Sequence, residues 1–222
     1  LTAAARGDRF LLRIEDIDQP RCKPEFEAAI YDDLEWLGLS WKTPVMRQSD
    51  RGAAYDAALA RLYDMGLTYA CTCTRGDIKA APSAQQEGAA TYGRDGPIYP
   101  GTCRNSGHTT GSIRLNMRAA MSTLGEVGFI ETGRKPGNFR YSAAQMIETV
   151  GDIVLARRDI GTSYHIAVVV DDAAQCITDV TRGEDLFDAT AIHVALQRLL
   201  GLSTPTYHHH RLIRDDQGKR LA

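Results

Sequence analysis

The hydrophobic positions of this chain change their period several times, and each change marks an element. Over 10–14, Phe10, Leu12 and Ile14 alternate with Leu11 and Arg13, which is the two-residue period of a strand. The chain then turns acidic in Glu15, Asp16 and Asp18. Pro24 sits where a first helical turn tolerates it. Phe26, Ile30, Leu34 and Leu37 then recur at helical spacing, and Gly38 closes the segment. A second helix follows Asp50, with Tyr55, Leu59, Leu62 and Tyr63 as its apolar side and Gly66 as its stop. Short strands are expected over 68–73, 112–117, 153–156 and 176–180. The run 165–170 is apolar almost throughout, which predicts a strand covered on both faces. Over 188–200 a helix is expected, with Ile192, Ala195, Leu196 and Leu199 inward and Gly201 at its end. Residues 80–97 are rich in Ala, Gly, Gln and Ser and predict a loop. Residues 1–7 read as the tail of a helix closed by Gly7, so further chain is expected upstream.

Strand–helix units at both ends, with a loop-rich β segment between them, predict a split α/β nucleotide-binding fold carrying an insertion. Its first part would run over 1–69, the inserted segment over 70–162, and the second part over 163–222. The length of 222 residues suits one large domain or one domain with an insertion, and 43% hydrophobic residues suffice for a sizeable core. No apolar run approaches a membrane span and no signal peptide is visible. The net charge of −2 offers no global attraction for nucleic acid, so any RNA contact must use local basic patches. Five cysteines, an odd number, argue for a reducing compartment, and a cytoplasmic protein is expected.

Three clusters carry candidate chemistry. Glu15, Asp16 and Asp18 repel one another unless a cation, a ligand amine or backbone N–H groups meet them. They follow a strand, and ligands of open α/β sheets sit at the carboxyl ends of strands. The competing reading is a polar strand exit with an aspartate capping a turn. Cys71-Thr72-Cys73 and, downstream, Tyr99-Pro100-Gly101-Thr102-Cys103-Arg104 bring three thiols that would need one more donor for a closed tetrahedral zinc site. On ligand chemistry alone the fourth donor is His108, because imidazole is a far commoner zinc donor than phenolate. The alternative is three cysteines packed as small apolar groups. Cys22 and Cys176 read as ordinary packing residues. His208, His209 and His210 are consecutive in a strand, where neighbours point apart, so they cannot all face one ion. On the residues alone, Tyr164 reads as a core aromatic and Arg182 as a structural partner of Asp179, Glu184 or Asp185. His165 and His193 read as packing or surface residues, and Arg157-Arg158-Asp159 as a solvated turn.

Phe10-Leu11-Leu12-Arg13-Ile14-Glu15-Asp16-Ile17-Asp18, followed by Pro20-Arg21, resembles the strand and loop after the first helix of class I glutamyl-tRNA synthetases. Within that class it most resembles the shorter paralogues, the glutamyl-Q tRNA(Asp) synthetases. The stretch from Thr162 to Asp172, leading to Ile177-Thr178-Asp179-Val180-Thr181-Arg182-Gly183-Glu184-Asp185-Leu186, resembles the second half of the same active site. The resemblance implies a Rossmann-type catalytic fold with an inserted zinc-containing α+β segment. It implies that Tyr164 and Arg182 hold the substrate amino acid and that Glu15 meets its α-amino group. A guanidinium fork suits a carboxylate bidentately. The paralogue's Cys-x-Cys and Tyr-x-x-x-Cys pattern implies Tyr99 as fourth ligand to a structural Zn2+, beside Cys71, Cys73 and Cys103. Tyr207 to His210 would be an approach strand into the Lys-Met-Ser-Lys-Ser loop, and Arg220-Leu221-Ala222 would match the first positions of that motif. The ATP-contacting lysine, the histidine motif and a further substrate arginine are expected beyond the two ends, so no catalytic residue is assigned within 1–222. The implied activity is that of a ligase: ATP- and Mg2+-dependent activation of L-glutamate and its transfer to the queuosine base of tRNA(Asp), by a monomer away from membranes. Two alternatives stand beside it. One is a shortened glutamyl-tRNA synthetase charging the 3′ end of tRNA(Glu). The other is a catalytically inactive zinc-containing RNA-binding module. Asp185-Leu186-Phe187 after the Arg-Gly-Glu favours the shorter paralogue.

Overall fold

The first helix, α1 (Thr2–Arg6), ends at Gly7, whose φ of 71° is the left-handed turn that glycine adopts without strain. The structure, a computed structural model, describes residues 2–80, 92, 93 and 96–219. β1 (Arg13–Ile14) pairs in parallel with β2 (Met46–Arg47), and α2 (Pro24–Trp36) lies between them in sequence. The strand is shorter than the alternation over 10–14 predicts, and of Phe10, Leu12 and Ile14 only Ile14 is buried. α2 forms where its spacing predicts, with Pro24 in its first turn, yet none of its residues is buried and Phe26 is 56% exposed. Periodicity says which side chains share a face. It does not say that another element covers that face. α3 (Gly52–Asp64) buries Tyr55 and Leu62, but Tyr63 is exposed, because it stands about 100° round the helix from Leu62.

β3 (Thr68–Cys71) leads into α4 (Arg75–Ala80), and two residue pairs, β4 (Tyr92–Gly93) and β5 (Gly96–Pro97), form a small antiparallel ladder. Most of the loop expected over 80–97 lies outside the described residues. β6 (Ser112–Leu115) pairs antiparallel with β3 and, on its other side, with β9 (Val154–Ala156). Between β6 and β9 come elements for which the sequence reading has no counterpart. α5 (Met117–Leu124) starts at Asn116, whose side chain accepts from Ala119 N. β7 (Glu126–Glu131) and β8 (Gly137–Ser142) form a hairpin, and α6 (Ala143–Thr149) opens with a capping box of Ser142 and Gln145.

The C-terminal part holds α7 (Tyr164–Ala174), β10 (Asp179–Gly183), α8 (Thr190–Leu199) and β11 (Thr206–His210). The largest sheet runs β10-β11-β7-β8, with β11 parallel to both β10 and β7. Two strands within the segment expected as an insertion therefore complete the sheet of the C-terminal segment. One core cluster likewise draws on all three segments, from Tyr55 and Leu62 through Leu115, Met121, Met146 and Leu155 to Ile166, Ile192 and Leu196. Each such fully buried side chain contributes about 1.5–3 kcal/mol of transfer free energy.

The run 165–170 is not a strand but the first part of α7. Ile166, Ala167, Val168 and Val169 are all buried, so the helix is covered almost all round and shows no polar stripe to betray its period. Cys176, expected to begin a strand, is a turn residue with φ 54°, and β10 starts three residues later. Cys22 and Cys176 are both exposed rather than packed in a core, and Cys22 Sγ lies 3.9 Å from Glu15 O.

Candidate functional site

The acidic loop after β1 resolves into three separately neutralised groups. Asp16 is buried and accepts from Ser49 N at 2.8 Å and Ser49 Oγ at 2.7 Å, the turn-capping role that the sequence leaves open for one aspartate. Asp18 faces Arg157 and Arg21, both at 3.7 Å. Glu15 is exposed and accepts from Arg13 Nη2 at 3.0 Å. Arg13 in turn bridges to α7 through Asp172 at 2.8 Å and Gln175 at 3.0 Å. Burial pushes the Asp172 carboxyl up, against the opposing Arg13 charge.

An open cleft of about 700 Å3 lies beside this loop, lined by Glu15, Gln48, Arg114, Ser163 and Tyr164 among others. Tyr164 opens α7 and is half-buried. Burial raises its phenol pKa; the Arg182 cation opposes that shift and the Glu15 charge adds to it, so the three residues singled out in the sequence share one neighbourhood.

Arg182 itself is anchored within the protein by several neutral groups. Asp179 pairs instead with Arg6 and Glu184 with Arg134. Arg182 Nε donates to His209 Nε2 at 3.1 Å and its Nη1 to His193 Nδ1 at 3.1 Å. Its Nη2 donates to Thr190 Oγ1 at 2.7 Å and Leu186 O at 3.2 Å. The Tyr207 ring lies 5.2 Å from the guanidinium carbon, within cation–π range. These four acceptors, two imidazoles, a hydroxyl and a carbonyl, are neutral groups. With the Tyr164 hydroxyl also bonded to it, a bidentate grip on a carboxylate would have to displace one of these partners.

Behind the guanidinium the network continues. His209 Nδ1 meets Glu131 Oε2 at 2.6 Å, and Glu131 Oε1 accepts from His209 N at 2.9 Å and Gly133 N at 2.6 Å. His193 Nε2 meets His165 Nδ1 at 3.1 Å. Glu131, His193 and His209 are all buried. None was singled out from the sequence as functional. They come from β7, α8 and β11, and only the tertiary fold joins them.

The cysteine cluster is a satellite core. The sulfurs of Cys71, Cys73 and Cys103 lie within 4.8 Å of one another. The Tyr99 hydroxyl stands among them, 3.3 Å from Cys71 Sγ and 3.4 Å from Cys73 Sγ, and accepts from Cys103 N at 2.9 Å. His108 is exposed and its Nε2 faces Thr72 Oγ1 at 3.2 Å, so the structure puts the phenol and not the imidazole beside the thiols. Burial pushes the Cys103 thiol up, but hydrogen bonds from Tyr99 and from the Thr72 backbone outweigh it and hold the pKa down to about 6. The donor set therefore fits a thiophilic, four-coordinate ion. Arg114 ties the cluster to the cleft: its guanidinium stacks 3.9 Å from the Tyr99 ring centroid and its Nη1 donates to Asp152 O at 2.8 Å.

The family described as tRNA synthetases class I (E and Q), catalytic domain, matches residues 1–222. The chain belongs to this family. A glutamyl-Q tRNA(Asp) synthetase of Rhodobacter capsulatus is 58% identical over 228 residues, spanning 99% of this chain and 81% of that protein. One from Pseudomonas fluorescens is 41% identical over 222 residues, spanning 100% of this chain and 67% of that protein. In fold, the chain is similar to a crystal structure of glutamate-tRNA synthetase from Elizabethkingia anophelis, with TM-score 0.74 and 26% identity, covering 100% of this chain and 47% of that one. A glutamate tRNA ligase from Elizabethkingia meningosepticum, solved with its amino acid, gives TM-score 0.73 and 27% identity over 46% of its length. The chain thus spans about half the length of these solved synthetases. The mixed α/β architecture described above is the class I synthetase catalytic fold that the resemblance implied.

Proposed function

We propose that this chain activates L-glutamate with ATP and Mg2+ and transfers the glutamyl group to the queuosine base in the anticodon loop of tRNA(Asp). The observation that carries the reading is that Tyr164 and Glu15 line one cleft while the Arg182 charge acts on the same Tyr164 phenol. Arg182 supplies a fixed positive charge in a partly desolvated place, where it attracts an anion more strongly than it would in water. With its donors largely engaged, it meets a substrate carboxylate chiefly through its charge, and the Tyr164 hydroxyl beside it supplies a donor. Glu15 offers a carboxylate to an ammonium group, and Arg13 holds it in place. Clamping both ends of a small zwitterion orients its reacting carboxylate, which is the entropic part of catalysis. No protein nucleophile is required, because the substrate carboxylate itself attacks the α-phosphate. ATP with Mg2+ supplies the adenylyl group, and pyrophosphate leaves as the carboxyl–phosphorus bond forms.

Cys71, Cys73, Cys103 and Tyr99 would hold a zinc ion, which closes the site structurally and leaves no open position for chemistry. The relatives at 41% and 58% identity support the acceptor assignment by name. The test is transfer of radiolabelled glutamate by the whole protein to tRNA(Asp) bearing queuosine. Label should remain after removal of the 3′-terminal adenosine, and unmodified transcript should accept nothing. Label lost with that adenosine, or a preference for tRNA(Glu), would assign the chain to the conventional charging reaction instead.

A further inference from the structure

Arg182 is held by two imidazoles, and both must be neutral for the arrangement to exist. A protonated imidazole has two donors and no acceptor, and would face the guanidinium N–H groups as a like charge. His193 accepts from Arg182 at Nδ1, so its proton sits on Nε2 and points to His165 Nδ1. His209 accepts from Arg182 Nε at Nε2, so its proton sits on Nδ1 and points to Glu131 Oε2. Glu131 is fixed in turn by two backbone N–H groups, those of Gly133 and His209, on its other oxygen. The carboxylate therefore selects the tautomer that lets His209 accept, and it stands one ring removed from the arginine, not against it. A carboxylate placed directly on Arg182 would neutralise the charge that a ligand anion has to find. An imidazole between the two keeps the guanidinium oriented and leaves its charge available.

We infer that Glu131, His209 and His193 are positioning residues for the anion site at Arg182, with Glu131 acting through the tautomer of His209. This rests on the reading of Arg182 and Tyr164 as the substrate-carboxylate site.

Glu131→Gln is the sharp test, because it preserves volume. Its amide oxygen can still accept from the two backbone N–H groups, which turns its NH2 group toward His209 Nδ1. His209 must then accept at Nδ1 and carry its proton on Nε2, where it opposes Arg182 Nε–H. In glutamate-dependent pyrophosphate exchange by the whole protein, Glu131→Gln should raise the KM for glutamate about tenfold or more and leave the KM for ATP within about threefold. Nitrogen-15 shifts of the His209 ring should show the proton moved from Nδ1 to Nε2. His209→Gln, whose amide oxygen can stand where Nε2 stood, should keep the glutamate KM within about threefold, and His209→Leu should not. If Glu131→Gln does not fold, the contrast between His209→Gln and His209→Leu decides. Arg182→Ala separates the two levels of the argument. If it leaves the glutamate KM unchanged, the substrate-site reading fails. If it raises that KM while Glu131→Gln, or His209→Leu in its place, does not, only the positioning role falls.

Discussion

Arg182, His193 and His209 also leave a mark on stability, because burial depresses both imidazole pKa values. His193 faces Arg182, His165 and the Tyr164 ring, and burial first, then the charges of His165, Arg182 and His209, hold it well below 6.5. For His209, burial lowers the pKa and Glu131 opposes it, with Arg182 and His208 adding repulsion; the net shift is downward. The sign follows from proton counting. Unfolded imidazoles near 6.5 take up protons that the folded ones refuse, so this contribution is complete above about pH 7 and is lost as pH falls below that value. Each unit of depression is worth about 1.4 kcal/mol. Thermal melts should therefore show a Tm that is flat from pH 8 to 7 and falls toward pH 5, with a shallower fall in His193→Gln. An equal pH slope in that variant would show that His193 is not a source of the effect. At this scale the sequence was legible where residues cluster in the chain itself. Cys71 and Cys73 stand two apart, and Tyr99 and Cys103 four apart. Glu131, His193 and His209 are far apart in the chain, and a histidine in an apolar run carries no local sign of what it will touch.

At the scale of elements, the α3–α7 junction turns on one buried charge. Asp171 has no exposure and accepts from Tyr55 Oη at 2.7 Å, Arg51 Nε at 3.0 Å and Gln48 Nε2 at 3.2 Å. Its removal leaves a cation, a phenol and an amide without their acceptor between packed helices. Breaking a buried pair from one side costs about 3–5 kcal/mol. Asp171→Ala should therefore lower the stability in urea titration by that free energy, and Asp172→Ala, whose partner Arg13 keeps acceptors in Gln175 and Glu15, by less. The reverse order would mean that α3 and α7 are held by their apolar contacts alone. α2 and α3, which keep solvent faces, were legible from their period, and α8, buried except at Arg198, from the spacing of Ile192, Ala195, Leu196 and Leu199 and its Gly201 stop. α7 was not, because a β-branched run buried all round carries no period that separates helix from strand. α6 escaped notice although its capping box, Ser142-Ala143-Ala144-Gln145, is written in the sequence. The β7–β8 hairpin is a different case: its place beside β11 depends on long-range pairing that no local pattern encodes.

The whole molecule has two cores of unequal size, and the small one depends on its thiols. Tyr99, Cys71 and Cys103 form their own buried cluster, separate from the main core. The two are linked mainly by polar bridges around Asp152, which accepts from Tyr69 Oη at 2.6 Å, Arg104 Nη2 at 2.7 Å and Met117 N at 2.8 Å. Three cysteines and a tyrosine bury little apolar surface; with the proposed zinc bound, its bonds would supply much of the local order, because metal-binding free energy of this kind is folding free energy. Protein purified without added metal should carry about one zinc equivalent per chain. Chelation should then raise hydrogen exchange first over 98–111 and in β3, while α7 and α8 stay protected, because their packing lies in the other core. Cys73→Ser should reproduce the same local pattern without the chelator. A metal-free protein with full protection over 98–111 would remove zinc from the proposal. Simultaneous loss of protection in α8 would show that the two cores unfold as one, and that the Asp152 bridges couple them more tightly than their separate packing suggests.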